Sequence, residues 1–362
     1  MKKKIIFLVA AALMLNSCDD LFEPAIENFK DVEQMYDDAQ YAQGFLVNVY
    51  RCVPGYYDNS EYATDDAVIN QKNNAFLTMA TGGWTSRLWT PINQWTNSFS
   101  SIQYINLFLE NVDKVEWAKD ERISTMFLDR LKGEAYGLRA LHMYYLLRAH
   151  GGKIADGTLM GVPIILKSEG PDADFNHARA TYSDCVKQIM EDADKAIELL
   201  PLDYKKFADS EIPEKYKNIG VTNASDYRRV CGEEYRGLMS GRIALAVRAQ
   251  TALLAASPAF QSGSGMTWEQ AADYAAEIIE KANGGGGCGL DADGLEWYTL
   301  ADKDYGTGGS PAEVIWRSST DDNNTLETAN FPPSLYGNGR VNPTQNLVDA
   351  FPMANGYPIS ET

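Results

Sequence analysis

Apolar positions along this chain fall mostly in steps of three and four, the period of an amphipathic helix. Between Ile123 and Ala149 they recur at Phe127, Leu131, Ala135, Leu138, Leu141, Tyr145 and Ala149, tracing one face, and His150-Gly151-Gly152 ends the run. A second helix is predicted from Thr181-Tyr-Ser-Asp184, with Val186, Ile189, Ala193, Ile197 and Leu200 on one side and Pro201 as its stop. A third, Ser240 to Ser257, is alanine-rich and apolar on several faces (Ile243, Leu245, Val247, Leu253, Leu254), the pattern of a helix buried on more than one side, until Pro258 breaks it. A fourth opens at Thr267-Trp-Glu-Gln270 with capping-box spacing, runs through Ala271, Tyr274, Ala275, Ile278 and Ala282, and ends in Gly284 to Gly287. Two more lie upstream: one over about Asp31 to Arg51, with Val32, Met35, Ala39, Ala42, Leu46 and Val49 inward, and one over about Thr90 to Val115.

Helices in series with small residues at their crossings, Ala135, Ala193, Ala246 and Ala275 among them, predict a mainly α fold: an irregular, tetratricopeptide-like helical solenoid. The helix pairs do not recur at the roughly 34-residue period of regular repeats, and long inserts at 52–90 and 201–239 interrupt them. Large loops on a rigid scaffold are where binding chemistry belongs. From residue 284 the character shifts to glycine, aspartate, proline and asparagine, with extended pieces such as Glu313-Val-Ile-Trp-Arg317. Trp297, Tyr298, Tyr305, Trp316, Phe331, Tyr336 and Phe351 give this stretch apolar mass, so it reads as a loop-rich lobe with few short strands packed on the solenoid.

The N-terminus has a different pattern. Lys2, Lys3 and Lys4 precede eleven apolar or small residues, Ile5 to Leu15, and then Leu15-Asn16-Ser17-Cys18. That is an export signal, too short for the about 20 residues a spanning helix needs. Its last four residues resemble the bacterial lipobox, in which the cysteine is acylated and becomes the first residue of the mature chain. Each buried methylene adds roughly 0.8 kcal/mol of membrane affinity, so two or three acyl chains on Cys18 make a lasting tether. Cleavage after residue 17 removes three lysines and no acid from a chain whose net charge is already −18. Such acidity argues against nucleic acid and against docking on anionic lipid, since both need a basic face. Cys52, Cys185, Cys231 and Cys288 remain, an even number in an exported chain, but far apart and without CxxC spacing. Disulfides and buried unpaired thiols are equally compatible with that spacing.

Several segments together resemble one family. They are Leu15-Asn16-Ser17-Cys18 with acids at 19 and 20; Ala63-Thr-Asp-Asp-Ala67; Trp95 with Ile102 and Asn106-Leu-Phe-Leu-Glu-Asn-Val112; Gly133-Glu-Ala-Tyr-Gly-Leu-Arg-Ala-Leu141 through Gly151-Gly152 to Gly161-Val-Pro-Ile164; Gly241-Arg-Ile-Ala-Leu-Ala-Val-Arg-Ala249 with Ala255-Ala-Ser-Pro258; and Asn342-Pro-Thr-Gln-Asn-Leu-Val-Asp-Ala-Phe351. In order and spacing these resemble the SusD/RagB outer-membrane lipoproteins of Bacteroidetes glycan-uptake systems. The resemblance implies a lipid anchor in the outer leaflet of the outer membrane and surface exposure. It also implies a partner, a TonB-dependent barrel of the SusC type, over which the protein closes as a lid while delivering an oligosaccharide. Uptake of peptides or other nutrients also lies within such a family, and a glycan-degrading surface lipoprotein is the enzymatic alternative. The implied organisation is a signal peptide at 1–17, a helical region at 18–283, and at 284–362 the start of a C-terminal region. Similar members continue well beyond the Asn342 to Phe351 motif, so that last region is expected to be incomplete.

Sugars bind by laying their apolar C–H faces on aromatic planes while amides, carboxylates and guanidinium groups fix the hydroxyls. Trp84 and Trp89 lie in a loop with no periodic core partner, and Asn73, Asn74 and Arg87 supply polar groups nearby. Trp297, Tyr298 and Tyr336 with Arg340 form a second candidate set. Trp95, in helical register with Ile102 and Asn106, is expected in the core, and Trp268 and Trp316 are expected to be structural. No catalytic pattern emerges, so a binding protein without cofactor or enzymatic activity is expected. His142, His150 and His177 make no HExxH, and no GxSxG elbow occurs. Gly284-Gly-Gly-Gly-Cys-Gly289 satisfies GxGxxG but follows a helix, where a dinucleotide site needs a strand. Asp291-Ala-Asp-Gly294 and Asp321-Asp-Asn-Asn324 are the oxygen-rich runs on which calcium could sit, yet neither has the twelve-residue EF-hand loop closed by glutamate.

Overall fold

In the computed structural model, the described residues are 32–55, 59–85, 87–88, 90–282, 290, 313–317 and 323–359. Along them run α1 (Ala39–Arg51), α2 (Ala75–Ala80), α3 (Trp95–Asn111), α4 (Glu121–His150), α5 (Tyr182–Leu199), α6 (Glu214–Lys217), α7 (Ala224–Cys231), α8 (Gly241–Ala256), α9 (Gln261–Ser264), α10 (Trp268–Ala282), α11 (Thr325–Asn330) and α12 (Gln345–Ala350). The long helices stack in chain order, α1 on α3, α3 on α4, α4 on α5, α5 on α8 and α8 on α10. Because each packs on its predecessor and successor, the architecture is the tetratricopeptide-like solenoid that the periodicity predicts. None of the described helices is long and apolar enough to cross a membrane.

Local chemistry starts and stops these helices. Thr181 Oγ1 accepts from the Asp184 amide at 3.0 Å and Ser240 Oγ from the Ile243 amide at 3.3 Å. At Thr267 the capping box is reciprocal: the Gln270 amide donates to Thr267 Oγ1 at 3.1 Å, and the Thr267 amide donates to Gln270 Oε1 at 2.9 Å. The expected helix over Asp31 to Arg51 divides. A 3₁₀ turn, Val32–Met35, precedes Asp38, whose carboxylate accepts from the Tyr41 amide and opens α1 as a new helix.

Helix α4 is the axis of the molecule. Its periodicity shows one apolar face, yet residues 137 to 144 are buried without a break, because α3, α5 and α8 surround it. Three charged side chains are therefore inside. Arg139 makes a bidentate pair with Asp192 of α5, 2.7 and 2.8 Å, and donates to Asn106 Oδ1 of α3 at 3.0 Å. Asn106 in turn donates to the carbonyls of Ile165 and Lys167, both at 3.0 Å, so one polar node binds three helices and the connector after α4. Arg130 and Glu134 form a second buried pair at 3.1 Å. Tyr50 of α1 donates to Glu134 at 2.9 Å and accepts from the Met239 amide at 2.8 Å.

Residues 201–239, read above as a loop insert, contain α6, α7 and two 3₁₀ turns around their own apolar cluster. Phe207, Ile212, Tyr216, Val221, Tyr227 and Val230 close over Ile123 and Met126 at the start of α4. Residues 52–90 also have structure. Strand β1 (Ala67–Ile69) lies antiparallel to β4 (Val341–Pro343), with Tyr62, Phe76 and Val341 packed beneath. A short hairpin, β2 (Gly152–Lys153) and β3 (Leu159–Met160), follows α4. The expected strand-like piece Glu313–Arg317 is irregular; Ile315 and Trp316 pack on the main core, and Trp316 Nε1 donates to the Gly237 carbonyl at 2.8 Å. Ala135 and Ala193 do sit at buried crossings. Ala246 is half-buried and Ala275 exposed, however, and the α8–α10 contact uses Ala252, Ala256 and Ala271. Cys52, Cys185 and Cys231 are unpaired, the last two buried; Cys288 and the export segment with Cys18 lie outside the described residues.

His142 lies fully inside α4's packing, its Nδ1 sharing a hydrogen bond with Ser98 Oγ at 3.1 Å. Burial lowers its pKa from the usual 6.5 to about 4. As pH falls below 6.5 the unfolded chain takes this proton and the folded chain does not, so stability is lost with acid. Between pH 6.5 and 5 the loss from this residue should be about 1.5 kcal/mol. Urea unfolding at the two ends of that window should show a loss of stability smaller by this amount in His142→Phe than in the wild type.

Candidate functional site: an aromatic cleft at the end of α4

The candidate site begins with α2. Asn74 caps this helix, its Oδ1 accepting from the amides of Phe76 (2.9 Å) and Leu77 (3.2 Å). The helix ends at Gly82, whose φ of 73° lies in the left-handed region that glycine occupies at little cost. The reversal leaves Trp84 outside the packed turn, 44% exposed. Met79, Trp84, Leu88 and Thr90 form one wall of a cleft of about 350 Å³, and Ala149 and His150, from the last turn of α4, form the other.

His150 is fixed from three sides. Its Nε2 accepts from the Gln94 amide at 3.2 Å, which assigns the hydrogen to Nδ1. Its ring meets Trp95 edge to face, with centroids 5.3 Å apart. Arg179 donates to its carbonyl at 2.8 Å. Burial, with the nearby Arg179 charge, holds the imidazole's pKa below its ordinary value, so at neutral pH the cleft offers an uncharged polar ring beside an open indole.

The sequence-predicted residues separate here. Trp84 lines the cleft, whereas Arg87 and Asn73 are exposed nearby and do not line it. Asn74 commits its side-chain oxygen to the α2 cap. Arg340 is brought onto the same insert: the Asn70 amide donates to its carbonyl at 3.0 Å, and Asn70 Nδ2 donates to the Gly339 carbonyl at 3.1 Å. Tyr336 stands clear of the fold, 97% exposed, with a left-handed φ of 62°. Trp89, Trp297 and Tyr298 lie outside the described residues, as do Asp291 to Gly294, Asp321 and Asp322. Trp95 departs from expectation: it is 38% exposed because it occupies the first turn of α3, where no preceding turn covers it, and packs edge-on against Phe99 and His150. His150 itself was legible only as a helix stop. Among the described residues no group of three or more histidines, cysteines and carboxylates is placed to hold a metal ion.

A family model described as "Starch-binding associating with outer membrane" matches residues 26–215. Among solved structures, the chain is similar to a SusD superfamily protein from Bacteroides vulgatus, 17% identical, TM-score 0.57, covering 89% of this chain and 62% of that one. It is similar also to a SusD-like carbohydrate-binding protein from Bacteroides fragilis (18% identity, TM-score 0.58, 89% and 54% covered). A further SusD-like protein from Bacteroides fragilis is 18% identical, with TM-score 0.58 and 91% and 56% covered. At such identities these likenesses establish the fold, and the chain spans little more than half the length of those structures. No curated protein matches it. With more than half of its length matched by the family model, the chain belongs to the SusD-like family.

Proposed function

We propose that this protein binds an oligosaccharide at the Trp84 cleft on the cell surface. It then delivers the sugar, chemically unchanged, to a SusC-like TonB-dependent barrel, held to the outer membrane by lipid on Cys18. The observation that carries the reading is Trp84 itself. An indole left open by a left-handed glycine turn, sharing a cleft of this size with a neutral imidazole, suits a sugar ring: apolar face on the indole, a hydroxyl oxygen accepting from the imidazole Nδ1–H. The family description, starch-binding and associated with the outer membrane, supports both the ligand class and the place.

Trp84→Ala should weaken binding of the preferred oligosaccharide about tenfold or more, as removal of a central aromatic anchor does. Titration calorimetry of the mature protein against a glycan panel measures it. Full affinity without Trp84, or new reducing ends during incubation, overturns the reading; the second result would favour the glycan-degrading alternative.

A further inference from the structure

Helix α3 and the connector after α4 enclose a second groove, of about 610 Å³. Its floor is one face of α3, where Trp95, Phe99 and Tyr104 are spread over about 13 Å of helix axis. Its far wall carries Ile165, Phe175 and His177. Phe175 is 62% exposed and Tyr104 42%, so both rings face solvent within the groove region.

The wall is built rather than draped. Gln103 Nε2 donates to the Glu169 carbonyl and accepts through Oε1 from the Glu169 amide, both at 2.9 Å. Ser168 donates twice to the Glu110 carboxylate, at 2.7 and 2.5 Å, and the Asn106 amide holds the carbonyls of residues 165 and 167. Glu169 Oε1 lies 2.6 Å from His177 Nε2, which places a polar pair beside the aromatic rings. The groove and the Trp84 cleft meet at a single partition: His150 lines one, Trp95 the other, and their rings are in edge contact.

We infer that the two form one track, and that the ligand is a linear oligosaccharide running from Trp84, past the Trp95 edge, to Phe175. Aromatic rings spaced along the floor and wall, alternating with the Ser100 and Tyr104 hydroxyls and the Glu169–His177 pair, repeat the chemistry of the first cleft at the scale of further sugar units. An amphipathic helix would instead require a continuous apolar strip. This inference rests on reading the Trp84 cleft as a sugar site.

The test is calorimetry with α-1,4-, β-1,3- and β-1,4-glucan and β-mannan oligosaccharides, each from disaccharide to octasaccharide. For the preferred backbone, the dissociation constant of the wild type should fall about tenfold or more with length. Phe175→Ala, which removes the far ring, and Ser100→Trp, which fills the floor from an exposed helix position, should each flatten that dependence. Thermal melting checks that both remain folded. Trp84-dependent binding whose length dependence survives both variants, or is absent in the wild type, overturns the track and leaves the first cleft standing. Failure of the wild type to bind any of the series overturns the sugar reading itself.

Discussion

Asp192→Ala should lower the unfolding free energy by about 3 to 5 kcal/mol, a large share of a domain's whole stability. The carboxylate is fully buried, and it accepts two hydrogen bonds from an Arg139 guanidinium that is itself only 6% exposed. Without it Arg139 keeps one strong partner, Asn106, at 3.0 Å, and a full positive charge in the core. Removing the charge as well should reverse much of the loss: a buried pair exchanged for apolar side chains of like volume is often neutral, so Asp192→Leu with Arg139→Met should be markedly more stable than Asp192→Ala. Urea unfolding of the single and double variants gives the coupling. Equal stability of Asp192→Ala and wild type would mean that the pair is open to water. Because Asn106 also holds residues 165 and 167, the single variant should loosen the connector that walls the second groove, visible as faster amide exchange there.

The same node shows where reading a sequence succeeds and where it fails. The long helices and their caps were legible because each combines many periodic apolar positions with a local stop or start: Thr181, Ser240 and Thr267 all cap as their spacing predicts. The burial of Arg130, Glu134 and Arg139 was not, since charged residues within a helix read as solvent-facing until a second helix supplies their partners. Residues 201–239 read as loop because their helices, Glu214–Lys217 and Ala224–Cys231, are too short to display a period. The pairing of Ala67–Ile69 with Val341–Pro343 joins strands of three residues from opposite ends of the described chain, for which no local signal exists.

In the candidate cleft, the exposure of Trp84 was legible because an aromatic in a loop has no periodic core partner. His150 was not, for it reaches the cleft from the far end of another helix, and only the stacking of α3 on α4 brings the two together. Trp95 misled for the opposite reason. Register with Ile102 gives its direction from the helix but not the absence of a covering turn at α3's first residue.

Gly133→Val should destabilise the protein by about 3 kcal/mol, at the upper end for overpacking a well-filled core. Glycine within a helix costs roughly 1 kcal/mol relative to alanine, so its presence in the middle of the molecule's longest described helix calls for a packing reason. The structure supplies one: a Cβ at this position would lie 2.6 Å from Leu200 Cγ and 3.1 Å from Leu199 Cβ, where the end of α5 crosses α4. One turn on, a Cβ at Gly137 would meet Met239 Cγ at 2.6 Å and Ala196 Cβ at 3.3 Å. The two glycines thus form a flat strip on which α5 rests. At Gly133→Ala the gain in propensity offsets part of the strain, leaving a loss of no more than about 2 kcal/mol. Valine adds two γ carbons to the same clash, stiffened at χ1, and Leu200 is 7% exposed with little room to withdraw. Thermal and urea unfolding of the two variants should therefore rank wild type, Ala, Val in falling order. A valine variant as stable as the alanine one would show that α5 can lift off α4 at this end without loss, and that the strip is not what sets the distance between them.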